Sequence, residues 1–175
     1  MRKIALLSGG ALALAVAVIV VWLRALGKSE VPGFFGPGAL LADINLTLEV
    51  LLVLGLTSGM FLARRGNIEA HRLNQTTWVL VNLALVASIM LPSLKNAKFK
   101  SFADLAQPHI LVPWLHALIG ALTVISGLWL VLQMNDVLPA RWHIRGWKNL
   151  MRFTLAGYWT VAVLGLVIYY RWYLT

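Results

Sequence analysis

The chain has 175 residues, of which 60% are hydrophobic, 12% are charged and none is cysteine, with a mean hydropathy of +0.80. A soluble domain of this size has no interior large enough for so much apolar surface, and the missing thiols exclude disulfides, thiolate metal sites and Fe–S clusters. Fifteen Lys and Arg against six Asp and Glu give +9, an excess that basic loops beside anionic headgroups explain without nucleic acid.

The first apolar run, Ile4 to Leu23, follows Met1-Arg2-Lys3. Its 20 residues exceed the about 7–15 of a cleavable signal sequence. Bulky Val20, Val21, Trp22 and Leu23 leave no small-residue cleavage site before Arg24. The run is therefore expected to persist as an anchor helix, with residues 1–39 as anchor and connection and residues 40–175 as a four-helix core. The remaining runs are Ile44 to Ala63, Thr76 to Leu91, Ile110 to Leu132 and Phe153 to Tyr170. Each approaches the roughly 20 residues that cross about 30 Å of hydrocarbon as a helix. The third is the shortest, and its polar flank from Arg72 to Gln75 extends it into the interface. Continuous apolar runs without period-two alternation argue against a barrel. The predicted fold is all-α, a membrane bundle of five transmembrane helices.

Basic residues set the expected orientation. With the N-terminus inside, the inner side carries Arg2, Lys3, Arg64, Arg65, Arg72, Arg141, Arg145, Lys148 and Arg152. The outer side carries Arg24, Lys28, Lys95, Lys98, Lys100 and Arg171. Both short inner loops are basic, which predicts N-in and C-out. Trp22, Trp114, Tyr169, Tyr170, Trp172 and Tyr173 fall near the outer boundary, and Trp142 and Trp147 in the inner loop, as amphipathic rings favour. Gly55 and Gly59, Gly120 and Gly127, and Gly157 and Gly165 mark faces where helices can approach closely. Pro92 is expected to end the third helix, and Pro108 and Pro113 to bracket the start of the fourth.

Function is best sought among ionisable groups that lipid excludes. Glu49 lies in the second run, with Asn45 one turn earlier on the same face. Glu49 is five residues in from the outer end of its run and His116 six residues into the fourth. At 1.5 Å per residue those depths are roughly 8 and 9 Å, so the two share a layer and can meet if their helices are neighbours. A carboxylate beside an imidazole supports a metal or haem histidine, but equally a proton relay or a plain buried hydrogen bond. His109, two turns before His116, reads as interfacial. On the inner side, His71 and His143 can converge on one ligand, as a bis-histidine haem requires, or simply face headgroups among arginines. Met60, Met134 and Met151 near the inner ends are a weak copper signal. No Walker loop, dinucleotide fingerprint, HExxH or nucleophile elbow occurs, so an enzyme of those classes is not expected.

The order of these features resembles a known family. Leu40-Leu41-Ala42-Asp43-Ile44-Asn45 leads the second helix, which ends in Arg64-Arg65 and is followed by His71. His116 lies in the fourth helix and His143 in a basic loop. Arg152-Phe153-Thr154 opens a last helix carrying Gly165 and ending in Tyr169-Tyr170. From about Leu40 to Tyr170 this is similar to the CtaM-like cytochrome c oxidase assembly proteins, the domain-of-unknown-function family number four-twenty. The resemblance implies a non-enzymatic, multi-pass protein of a bacterial inner membrane that helps to mature a haem–copper oxidase. It implies that oxidase subunits are partners and that membrane histidines handle haem or copper, with His71, His116 and His143 as cofactor-binding candidates. His116 with Glu49 is the candidate metal pair. Glu49 departs from the family, which carries an asparagine there. The other readings are a small b-type cytochrome using His71 and His143, and a structural accessory subunit of a larger membrane complex.

Overall fold

The computed structural model describes residues 2–174 apart from 29, 37, 95–100, 102, 104 and 105. Met1, the side chain of Arg2, and Lys95, Lys98 and Lys100 of the charge count above thus lie outside the described residues. The helices are α1 (Arg2–Ala25), α2 (Leu40–Arg64), α3 (Ile68–Ser93), α4 (Pro108–Met134) and α5 (Trp147–Tyr173), and all five are long and apolar enough to cross a membrane. Each contains one of the apolar runs and adds polar or interfacial residues at its ends. The largest extension is in α3, which begins eight residues before Thr76.

Local chemistry sets these boundaries. Asn67 caps α3, its side chain accepting the Ala70 N–H at 3.1 Å. Just before it, Gly66 takes φ +78°. Its N–H donates to the Ala63 carbonyl and that of Asn67 to the Leu62 carbonyl, a glycine-terminated helix end. Near the other end of α3, Pro92 cannot donate to the carbonyl four residues back. The preceding residues Val86–Met90 widen into a π-helical turn, with the Leu91 N–H donating to the Val86 carbonyl. The proline thus widens the last turns, and the helix ends at Ser93.

The helices α2, α3, α4 and α5 pack in a ring in which chain neighbours are spatial neighbours and α5 closes onto α2. Cross-helix contacts make neighbours antiparallel. Asn135, just past α4, donates to Thr76 of α3 at 2.9 Å, and Tyr169 at the end of α5 donates to Asp43 at the start of α2. The first helix lies outside the ring against α3, where Gly9 admits the backbone of Thr77. Leu52, Val53, Leu56, Val79, Val131, Tyr158 and Ala162 form the ring's core, while Val20, Leu41, Val81, Leu85 and Ile89 join α1 to α2 and α3. The indole of Trp78 occupies the space a side chain at Gly55 would need, and Thr123 does the same at Gly157. These close approaches are the main source of helix association in lipid.

The described residues between α1 and α2 form a strap across one end of the ring. The Gly33 N–H donates to the Gly38 carbonyl at 2.7 Å and the Leu40 N–H to the Val31 carbonyl at 2.9 Å. A fully buried carboxylate, Asp43, holds the strap down. It accepts the Phe35 N–H at 2.6 Å and the Tyr169 hydroxyl at 2.5 Å. It fits there because Gly33 and Gly38 lack the Cβ atoms that would collide with it. Removing an acceptor strands its donors at about 1–3 kcal/mol each. Asp43→Ala should therefore lower stability by about 2–4 kcal/mol and Tyr169→Phe by less, since Asp43 keeps the Phe35 N–H. Thermal unfolding followed by circular dichroism in detergent checks this order.

Candidate functional site

A cavity of about 620 Å³ occupies the half of the ring nearest the strap. Each ring helix supplies a polar residue to its wall: Asn45 and Glu49 from α2, Asn82 from α3, His116 from α4 and Tyr158 from α5. Asn45 and Glu49 are spaced i, i+4 and therefore face the same way. The Asn45 Oδ1 and Glu49 Oε1 atoms are buried without a hydrogen-bond partner. Glu49 as a whole is only 6% exposed. Its carboxylate lies in a recess over Gly165, where any Cβ would collide with it.

His116 reaches the same turn of α5 from the other side. Its Nδ1–H donates to the Val161 carbonyl at 3.1 Å. In an α-helix that carbonyl also meets the N–H four residues on, which belongs to Gly165. The two helices carrying Glu49 and His116 stand at opposite corners of the ring, so the direct meeting of neighbouring helices foreseen from their depths is replaced by a shared turn of α5. With Nδ1 committed, the other ring nitrogen of a neutral imidazole keeps its lone pair. Asn82 Nδ2 donates to the Tyr158 hydroxyl at 3.3 Å. The sequence reading did not single out Asn82 and Tyr158, and it placed Asp43 and Tyr169 only within a motif and among the boundary aromatics. A polar residue in an apolar run was the signal for Asn82 and Tyr158, and the Gly-Pro-rich strap for Asp43.

His71 and His143 lie elsewhere, and neither lines the cavity. His71 is buried where α3 begins, its Nδ1–H donating to the Gly59 carbonyl at 2.8 Å. Asn74 and Gln75 continue the pattern, donating to the Gly55 and Leu56 carbonyls at 2.7 and 2.9 Å. His71 is thus one rung of a ladder that fastens α3 to α2. His143 instead folds back on its own loop, its Nε2–H donating to the Leu138 carbonyl at 3.1 Å. Gln133 clamps the adjacent Ile144 through both backbone groups, and Trp142 stacks on Trp129. The two rings are anchored to different backbone segments, and no hydrogen bond joins them among the described residues. His109 is exposed in the first turn of α4. Of the methionines, Met90 lines the cavity, whereas Met60, Met134 and Met151 do not. Among the described residues no group of three or more His, Asp or Glu is placed to hold a metal ion.

No protein-family model matches this chain, nor does any curated protein or solved structure. The hydrogen bonds themselves predict ring tautomers. Nitrogen-15 NMR of labelled histidine in alkaline buffer should find the proton on Nδ1 in His71 and His116, and on Nε2 in His143.

Proposed function

We propose that this chain is a multi-pass protein of a bacterial inner membrane that supports assembly of a haem–copper respiratory oxidase and catalyses no reaction itself. In this reading the oxidase subunits are its partners and the cavity near the strap holds a haem or metal ion in transit. One observation carries it: His116, fixed through Nδ1 with its other nitrogen free, lines the same cavity as Glu49, a buried carboxyl group with an unpartnered oxygen. Backbone-anchored imidazoles of this kind are good ligands, because the second hydrogen bond sets tautomer and orientation. His116 would hold the iron of a haem, and His116 with Glu49 would supply part of a metal's ligands. A bound ion would supply Lewis acidity or redox capacity there. The chain's own residues bind and orient it. Two strong ligands fall short of a closed structural site, and an open shell favours release to a partner over retention. Exposed Arg64, Arg65, Arg141, Arg145, Lys148 and Arg152 gather at the end away from the strap, which supports an N-in, C-out orientation with the cavity in the outer half.

The cytochrome reading is weaker, because neither His71 nor His143 lines the cavity. The test is genetic. Deleting the gene in its host should lower terminal-oxidase activity and the oxidase haem spectrum, and the wild-type chain should restore both. His116→Ala and Glu49→Gln chains that reach the membrane at normal levels should fail to restore them. An oxidase of normal activity and spectrum in the deletion strain would sink the reading.

A further inference from the structure

We infer that the seam between α2 and α5, at its end away from the strap, binds an anionic phospholipid, with Arg64 and Arg152 on the phosphate and the exposed apolar side chains next to them on the hydrocarbon. This goes beyond the ligand-handling reading and does not depend on it, since neither arginine lines the cavity. Three contacts fix the register of these antiparallel helices. Tyr169 donates to Asp43, the Glu49 carboxylate lies over Gly165, and the Trp159 indole N–H donates to the Thr57 hydroxyl at 3.1 Å. Arg64 comes seven residues after Thr57, and Arg152 seven before Trp159. Seven residues make two turns, roughly 10 Å, so each arginine returns to the face of a residue bonded across the seam. Packed helix axes stand about 8–10 Å apart, a gap that two long side chains close from either side. Both arginines are exposed.

Neither helix supplies a carboxylate to offset this pair. α5 has no acidic residue, and α2 has none after Glu49. Glu69, at the start of α3, is bonded to Arg72. Lys148 adds a cation one turn from Arg152, in a first helical turn without an acid, where the helix dipole opposes positive charge. An anion relieves each of these repulsions, and guanidinium groups suit phosphate because their donors meet its oxygens in pairs. Next to the arginines the seam turns apolar. Leu54 and Phe61 of α2 and Trp159 and Val163 of α5 are all exposed, and the Arg64 guanidinium lies 5.9 Å from the centre of the Phe61 ring. A free anion would meet the arginines alone, whereas a phospholipid meets the charge and the apolar strip together.

The test uses the full chain in nanodiscs of mixed phosphatidylcholine and phosphatidylglycerol, with the lipids that stay bound counted by native mass spectrometry. The wild-type chain should retain phosphatidylglycerol in preference to phosphatidylcholine. Two double variants remove equal charge: Arg64→Gln with Arg152→Gln, and Arg141→Gln with Arg145→Gln in the loop between α4 and α5. The first should weaken retention of phosphatidylglycerol about tenfold. The second should retain it as the wild type does, and both should keep the helical circular dichroism spectrum. No preference in the wild type, no loss in the first variant, or equal loss in the two would overturn the inference. Equal loss would mean that basic charge in general attracts the lipid. Inorganic phosphate added at constant ionic strength should leave the lipid bound; displacement would assign the arginines to a free anion and overturn the phospholipid.

Discussion

In hydrocarbon a polar group has only the protein to bond with, and apolar side chains gain little by leaving lipid for one another. Besides close packing at glycines, two of the ring's helix pairs are accordingly fastened by side chains on one helix donating to backbone carbonyls of the next. His71, Asn74 and Gln75 do this from α3 to Gly59, Gly55 and Leu56 of α2. His116 does it from α4 to Val161 of α5. Glycine makes such bonds possible. At Gly59 the amide groups of Asn74 and Gln75 occupy the space a Cβ would fill, so the side chains can reach the main chain behind it.

The same constraint separates scaffold from site. A rung such as His71 ends on a carbonyl between two packed helices and contributes rigidity. At the cavity the pattern is incomplete: the Val161 carbonyl fixes His116, but Asn45 and Glu49 each keep a buried oxygen without a hydrogen-bond partner. The strap closes that end of the ring through Asp43, and here the carboxylate is satisfied by a backbone N–H and a tyrosine hydroxyl. Two acidic residues six positions apart on one helix thus have different fates. Asp43 meets donors from the strap and α5, whereas Glu49 meets the bare backbone of Gly165.

Much of the framework was legible in the residues. The five apolar runs became five helices, and the polar flank Arg72 to Gln75 extended α3 as its composition suggested. Gly55, Gly157 and Gly165 proved to be points of close approach, while Gly120 has only Val161 nearby, at 3.9 Å. The shared layer of Glu49 and His116 was readable from depth alone, because rise per residue converts position into height. Rotation about the helix axis is not readable in that way when both faces of a run are apolar. That is why His71 and His143, close in expected height, turned out to face different partners.

Sequence by itself determined the number of helices long and apolar enough to cross a membrane and the relative heights of the polar residues, since both follow from hydropathy and a constant rise. Tertiary structure decided which polar groups are consumed and which are left open. Asp43 and Tyr169 are 126 residues apart in the chain, and nothing local announces that a hydroxyl from the last helix will complete the cap on a strap between the first two. Likewise, Val161 and Gly165 read as ordinary packing residues. Only the closure of the ring brings Glu49 and His116 against that one turn, because their own helices stand at opposite corners.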